Sequence, residues 1–404
     1  MQTLASTGQK IKFNSNEKPI TLWDIISENQ QLFTVIGQKF YSTDNSILSF
    51  FHGYKYKIND SIINELDDES IDENDDDIKD WLNFVKECIA NDGNDDTDEN
   101  YQQKKDEIYN YILNWISFIM QNPDYRTGTA IIIKGLQGTG KGTFTNVLSE
   151  LLSGYSEKNV TELSEITGKN NSVIENKKLI ILNEAKNAGE DRMANFDGLK
   201  SKITDDEVRI EEKFQPRRTV ENVCNYIICT NNSFPVKVET SDRRFLVLTT
   251  NPKYMNDFDY WNNLNKTMYE DAGGNKPKFT FFNKLTEYFL NRDISKFNPR
   301  KIPETQAKEI LTEASRKPIE IWIEEHYNEL TSETGMPKSK ANSEIPTGMK
   351  PKYFSNEIST YCKDWQPRID GKRTTAHYYK LLPQLVNKFK PKETIPIELN
   401  NDNK

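Results

Sequence analysis

The chain has 404 residues, 35% hydrophobic and 28% charged, with a net charge of −9. It contains no apolar run near the roughly 18 residues that a membrane-spanning helix needs, and its start, Met1-Gln2-Thr3-Leu4-Ala5-Ser6, is too polar for a signal peptide. A soluble, intracellular protein with no membrane partner is expected, and its scattered Cys88, Cys224, Cys229 and Cys362 and distant His52, His326 and His377 suggest neither zinc nor disulfides. The charge is uneven. Between Asp60 and Glu99 there are 17 acidic residues against Lys79 and Lys86, while 335–404 holds 13 basic and 7 acidic residues. An acidic whole therefore does not exclude a nucleic-acid partner.

Residues 1–60 carry short apolar runs, Ile20–Trp23, Leu32–Ile36 and Phe50–Tyr56, read as short strands around a small helix. An acidic linker or surface insert is expected over 61–100, broken by the amphipathic-looking Ile78–Ala90. Over 101–127 a helical segment is predicted: from Tyr101 to Gln121, Ile108, Ile112, Trp115, Ile116 and Ile119 recur on one face, and Pro123 helps end the helix.

Next comes Ala130-Ile131-Ile132-Ile133-Lys134, then Gly135 to Lys141 in the spacing G-x-x-x-x-G-K, then a helix-forming segment. A strand, a glycine loop and a helix N-terminus in this order form a phosphate cradle. The glycines let backbone N–H groups approach the phosphates, the helix dipole favours anions, and lysine adds a mobile charge. Gly135, Gln137, Gly138, Thr139, Gly140, Lys141, Gly142 and Thr143 are the candidate nucleotide-binding residues. Gly142 stands where Ser or Thr normally follows the lysine, which leaves Thr143 as the candidate Mg²⁺-contacting hydroxyl.

Strand and helix patterns alternate over 128–252, predicting an α/β P-loop domain with a mainly parallel sheet. The run Lys178–Asn183–Glu184 reads as a buried strand ending in a Glu able to polarise an attacking water. Asn183 stands where an acid would hold Mg²⁺ through water. A further strand, Val223–Thr230, ends at Asn231, an amide able to orient that water, and Arg243 and Arg244 enter the strand after it. Between these, Val208 and Ile210 alternate before a basic tip with Lys213, Phe214 and Arg217, which reads as a hairpin that grips a phosphate backbone and stacks on a base. A helical region is expected over 253–330 and a linker over 331–352. A basic module over 353–404 has the length and charge of a winged-helix-like domain.

Taken together, these motifs resemble the superfamily 3 helicases of viruses, phages and plasmids, ring-forming ATPases of the AAA+ class. The likeness is greatest to the helicase half of phage and large-DNA-virus primase–helicases and covers about 105–330. Phe50-Phe51-His52-Gly53-Tyr54 also resembles the segment joining primase to helicase in such proteins. The resemblance implies a layered AAA+ fold with a collar-like helical segment, and a homo-hexamer drawing one DNA strand through a central pore. It further implies ATP and Mg²⁺ as cofactors, with Lys141 on the β- and γ-phosphates and Thr143 on the metal. Glu184 would be the catalytic acid, Asn231 the sensor and Arg244 (or Arg243) a finger acting across the subunit interface. Lys213 and Phe214 match the pore-hairpin tip. A primase in trans, or on a preceding part of a longer protein, is implied as a partner, in the host cytoplasm or nucleus for a virus and the cytoplasm for a phage or plasmid.

Two other readings compete. Gly138–Thr143 also resembles the phosphate loop of adenylate kinases, yet no arginine occurs between Thr143 and Arg192 to bind a second substrate. A non-motor nucleotide-binding loader or initiator would tolerate Asn183.

Overall fold

The computed structural model describes residues 10–11, 20–21, 37–44, 46–57, 71–93, 100–183, 192–231, 242–271, 273–314, 317–346 and 349–390. The expected run Leu32–Ile36 and the expected catalytic Glu184 lie outside the described residues. The chain divides into two compact units between Thr312 and Glu313. Among the described residues no helix is long and apolar enough to cross a membrane.

The first unit is built on strands β1 (Ala130–Lys134), β2 (Ser156–Val160) and β3 (Leu179–Asn183), a hairpin of β4 (Glu207–Ile210) and β5 (Arg218–Glu221), then β6 (Asn225–Thr230) and β7 (Phe245–Thr249). The main sheet is parallel throughout, in the order β7-β1-β6-β3-β2. Its central strands are continuous apolar runs because both faces are covered. Ile131, Ile133, Ile227 and Leu246 point into one core and Ile132, Ile180, Ile228 and Val247 into the other. At the entry to β1, the Thr127 hydroxyl and N–H both donate to the Asn225 side-chain oxygen (2.8 and 2.9 Å), which fixes the start of β1 to the start of β6.

The first core is closed by α1 (Lys79–Phe84), α2 (Tyr101–Gln121) and α3 (Lys141–Leu151), and the second by α4 (Arg192–Thr204); α5 (Phe258–Met268) and α6 (Phe279–Asn291) add to the first. Helix α1 falls within the expected acidic linker, but it is not a solvated insert. Ile78, Trp81, Leu82, Phe84, Val85, Cys88 and Ile89 are all buried, and Trp81 stacks on Phe144 of α3 at 6.1 Å between centroids. Some of the described acids of this stretch find cations: Asp75 and Asp77 pair with Lys284, and Glu87 with Lys105 and Lys253. The aromatic segment at Phe50–Tyr56 docks nearby. His52 N–H donates to the Tyr155 hydroxyl (2.9 Å) and Tyr54 to the Met120 carbonyl (2.6 Å), while Lys55 pairs with Glu150 of α3.

The second unit contains α7 (Pro318–Glu325), α8 (Tyr327–Thr331), β8 (Met336–Pro337), α9 (Lys338–Ser343), α10 (Pro351–Ile358), β9 (Cys362–Trp365), the ribbon β10 (Arg368–Ile369) and β11 (Lys372–Arg373), and β12 (Tyr378–Leu381). Its antiparallel sheet has the order β8-β12-β9. The expected linker over 331–352 is therefore part of a folded unit. Met336 pairs with Tyr379 and is buried with Ala341, a partnership across some 40 residues that local Pro, Ser and Lys content does not reveal. The unit begins at Glu313, ahead of the expected boundary, because Ile319, Trp322 and Ile323 pack into the same core as Phe354 and Leu381.

Candidate functional site

Strand β1 runs into a loop that requires glycine at two points. A Cβ on Gly135 would lie 1.7 Å from the Thr250 hydroxyl oxygen. One on Gly140 (φ +91°) would lie 2.5 Å from the Phe84 ring and 2.7 Å from Trp261. These neighbours shape the loop from behind. The Thr139 hydroxyl donates to the Leu136 carbonyl (2.8 Å) and shares a hydrogen bond with Thr250 (2.7 Å), and Gly135 N–H donates to the Thr230 carbonyl at the end of β6 (3.2 Å). Helix α3 opens at Lys141, so the positive end of its dipole lies at the loop. The Lys141 ammonium donates to the Gly135 and Leu136 carbonyls, both at 2.7 Å, which holds a positive charge over the loop. Gln137 and Gly138 are exposed beside it, and Thr143 is half-buried in the first turn of α3. The Cys229 thiol beneath is a core group, pushed up to about 12 by burial.

This cradle fits a phosphate chain. Gly140→Ala should cost at least about tenfold in affinity for a fluorescent ATP analogue, roughly 1.4 kcal/mol, because the rings behind it cannot move away together. Gly142→Ser should bind it normally, since a Cβ at Gly142 meets nothing within 4 Å. Wild-type binding by both variants would mean that this loop is not the phosphate site.

At the end of β3, Asn183 Nδ2 donates to the Lys158 carbonyl of β2 at 2.7 Å, where the β2–β3 register shifts. A carboxylate could not donate there, so closure of this irregular edge accounts for the amide. Register pairs Cys229 with both Ile133 and Asn183, and Asn231 follows two residues on. The exposed Asn231 therefore stands between the phosphate loop and the end of β3. Among the described residues no group of three His, Cys, Asp or Glu side chains could hold a metal.

The hairpin is held at its base and bare at its tip. Buried Asn171 accepts from Glu211 N–H (2.9 Å) and donates to the Arg209 carbonyl (2.9 Å), and Arg218 pairs with Glu175. Arg126 donates to the Thr204 carbonyl, and its guanidinium lies 2.7 Å from Asp206, at the hairpin root. Phe214, at φ +65°, is fully exposed. A bulky residue in the left-handed region is strained by about 1–3 kcal/mol. Lys213 is exposed and makes no ion pair among the described residues, whereas Arg217 is paired with Glu211 at 3.1 Å. The tip thus presents one cation beside one aromatic ring.

Arg243 and Arg244 lie at the other end of the sheet from the loop. The Arg244 carbonyl accepts from Ala130 N–H (2.8 Å), five residues before Gly135, a strand length of about 16 Å. Arg244 is half-buried against the buried Asp242 (3.3 Å), and Arg243 is exposed. With Gly128, Thr204 and Arg300 they line a cavity of about 210 Å³. Neither arginine can reach phosphates on its own loop. Arg300, Thr250, Phe84 and Trp261 escaped sequence reasoning, since each reaches the site from a distant segment with no motif of its own.

Comparison with known proteins adds context. The family of unknown function DUF5906 matches residues 133–244, from the end of β1 to Arg244. The DNA primase-polymerase of Nitratiruptor phage NrS-1 is 35% identical over 150 residues, covering 37% of this chain and 20% of the relative, so the match spans about a fifth of the relative's length. The apo structure of the NrS-1 C-terminal region superposes with a TM-score of 0.61 at 17% identity, covering 92% of this chain and 93% of that one. The fold is shared with that region. Its A-form apo structure gives 0.59 at 16% identity, with 92% and 94% covered.

Proposed function

We propose that this chain is an ATP-driven, DNA-translocating part of a phage or viral replication protein of the superfamily 3 helicase type. One observation carries the reading. Strand β6, buried along its whole length, leaves the hairpin within four residues of Glu221 and ends at Thr230, hydrogen-bonded to the phosphate loop. A buried strand thus joins the glycine loop to the hairpin with the exposed Lys-Phe tip, and a change at Asn231 would move the hairpin. The likeness to part of a phage DNA primase-polymerase supports the same replication setting.

ATP with Mg²⁺ would supply the free energy for each step. Lys141 and the N–H groups of Gly138–Thr143 would hold the phosphates, and Thr143 the metal, with Asn183 behind it through water. Glu184 would polarise the attacking water and Asn231 would orient it. Because Arg243 and Arg244 lie remote from their own loop, they would serve the nucleotide of an adjacent copy, which calls for a ring, most simply a homo-hexamer. Lys213 and Phe214 would hold a single DNA strand in the pore, with priming supplied in trans or by another part of a longer protein.

A second reading, a loader that binds nucleotide without turning it over, draws on the commitment of the Asn183 amide to Lys158. ATP hydrolysis with and without single-stranded DNA separates the two: the motor is stimulated by the strand, and the loader shows no turnover in either condition.

A further inference from the structure

The second unit carries a positively charged surface that the motor reading does not use. Helices α9 and α10 are followed by β9, the β10–β11 ribbon and β12, and the sheet order β8-β12-β9 leaves the ribbon as an excursion between β9 and β12. On α10, Phe354 and Ile358 are buried, while Lys352, Tyr353 and the preceding Lys350 are exposed. All six residues Arg368–Arg373 of the ribbon are exposed as well. Asp370 (φ +51°) and Gly371 (φ +79°) form its two-residue turn, the left-handed pair that closes a tight hairpin.

Two features point to a polyanion. First, the register sets Arg368 directly opposite Arg373. Like charges facing across a ribbon are destabilising, and a two-stranded ribbon is marginal by itself, so this pair opposes folding unless an anion lies over it. Second, two nearby acids are already used, Glu357 by Lys317 and Asp364 by Lys338 and His377, which hold its carboxyl below the usual range, and this leaves Asp370 of the turn as one acid against Arg368, Lys372 and Arg373. By contrast Lys350, Lys352, Arg368, Lys372 and Arg373 make no ion pair among the described residues.

We infer that the second unit is a duplex-DNA-binding module of winged-helix type, with α10 presented to a groove and the β10–β11 ribbon laid along the adjacent phosphate backbone. A helix with lysines and a tyrosine at its start has the width and chemistry for a major groove, and a guanidinium-rich ribbon suits phosphates. This site is separate from the hairpin tip, which suits a single strand.

The test uses the full chain without nucleotide and a 20-base-pair fluorescent duplex, followed by anisotropy across a salt series. The triple variant Arg368→Gln, Lys372→Gln, Arg373→Gln should bind the duplex at least about tenfold more weakly. Its slope of log affinity against log salt should shrink by about 2.7, three phosphate contacts' worth. Tyr353→Ala with Lys352→Gln should also weaken duplex binding. All five side chains are exposed, so circular dichroism melting should match wild type. A single-stranded oligonucleotide of the same sequence should lose no more than a few fold. Unchanged duplex affinity and salt slope in both variants would overturn the assignment, as would an equal loss on the single strand. Because no nucleotide is present, these outcomes do not depend on whether the chain is a motor.

Discussion

Lys141→Ala is expected to lower ATP hydrolysis by about 10³-fold, equivalent to roughly 4 kcal/mol of transition-state stabilisation. The size follows from where the ammonium lies. It is held at 2.7 Å from two carbonyls of its own loop, close to the helix N-terminus, and can exchange those bonds for phosphate oxygens without leaving the cradle. Charge grows on the phosphate oxygens during transfer, so a fixed cation matters more to the rate than to binding. The backbone N–H groups and the α3 dipole remain in the variant. Affinity for a fluorescent ATP analogue should therefore fall about tenfold, far less than the rate. Hydrolysis within tenfold of wild type would remove Lys141 from the catalytic site.

The second large effect lies at the hairpin tip. Stacking of a base on an aromatic ring contributes about 1–3 kcal/mol, so Phe214→Ala should weaken single-strand binding by about 5- to 150-fold. Lys213→Ala removes one phosphate contact and should instead flatten the salt slope by about 0.7. Both should lose DNA stimulation and fork unwinding while the phosphate loop still binds nucleotide. Phe214→Gly separates function from strain. With φ at +65°, glycine should raise stability by up to about 1 kcal/mol, yet bind the strand as poorly as the alanine variant. If Phe214→Gly bound single strands like wild type, the ring would have no part in holding DNA.

The parts of the fold legible in the sequence are those set by local pattern. Ile108, Ile112, Trp115, Ile116 and Ile119 mark the buried face of α2 by their spacing alone. The apolar runs of β1, β3 and β6 are continuous because a parallel sheet buries both faces, and the glycine spacing marks the loop because of its backbone. What escaped depends on partners far away in the chain. The Ile78–Ala90 segment is embedded in acidic sequence, yet Trp81 stacks on Phe144 and Phe84 backs Gly140. The insertion of β6 between β1 and β3, which sets Asn231 beside the loop, is a matter of strand order that no single segment encodes. Arg217 matched a basic tip but finds Glu211, and Asn183 looked like a lost acid until the Lys158 carbonyl explained it.

The central claim is that the nucleotide cradle drives movement along DNA through β6 and the hairpin. Steady-state ATP hydrolysis by the intact chain, measured with and without single-stranded DNA on forked duplex and oligonucleotide substrates, tests it most directly. The account predicts slow hydrolysis alone, clear stimulation by the strand, and unwinding of the fork only when ATP is hydrolysed. Hydrolysis indifferent to DNA, or phosphate transfer from ATP to a nucleoside monophosphate, would contradict it.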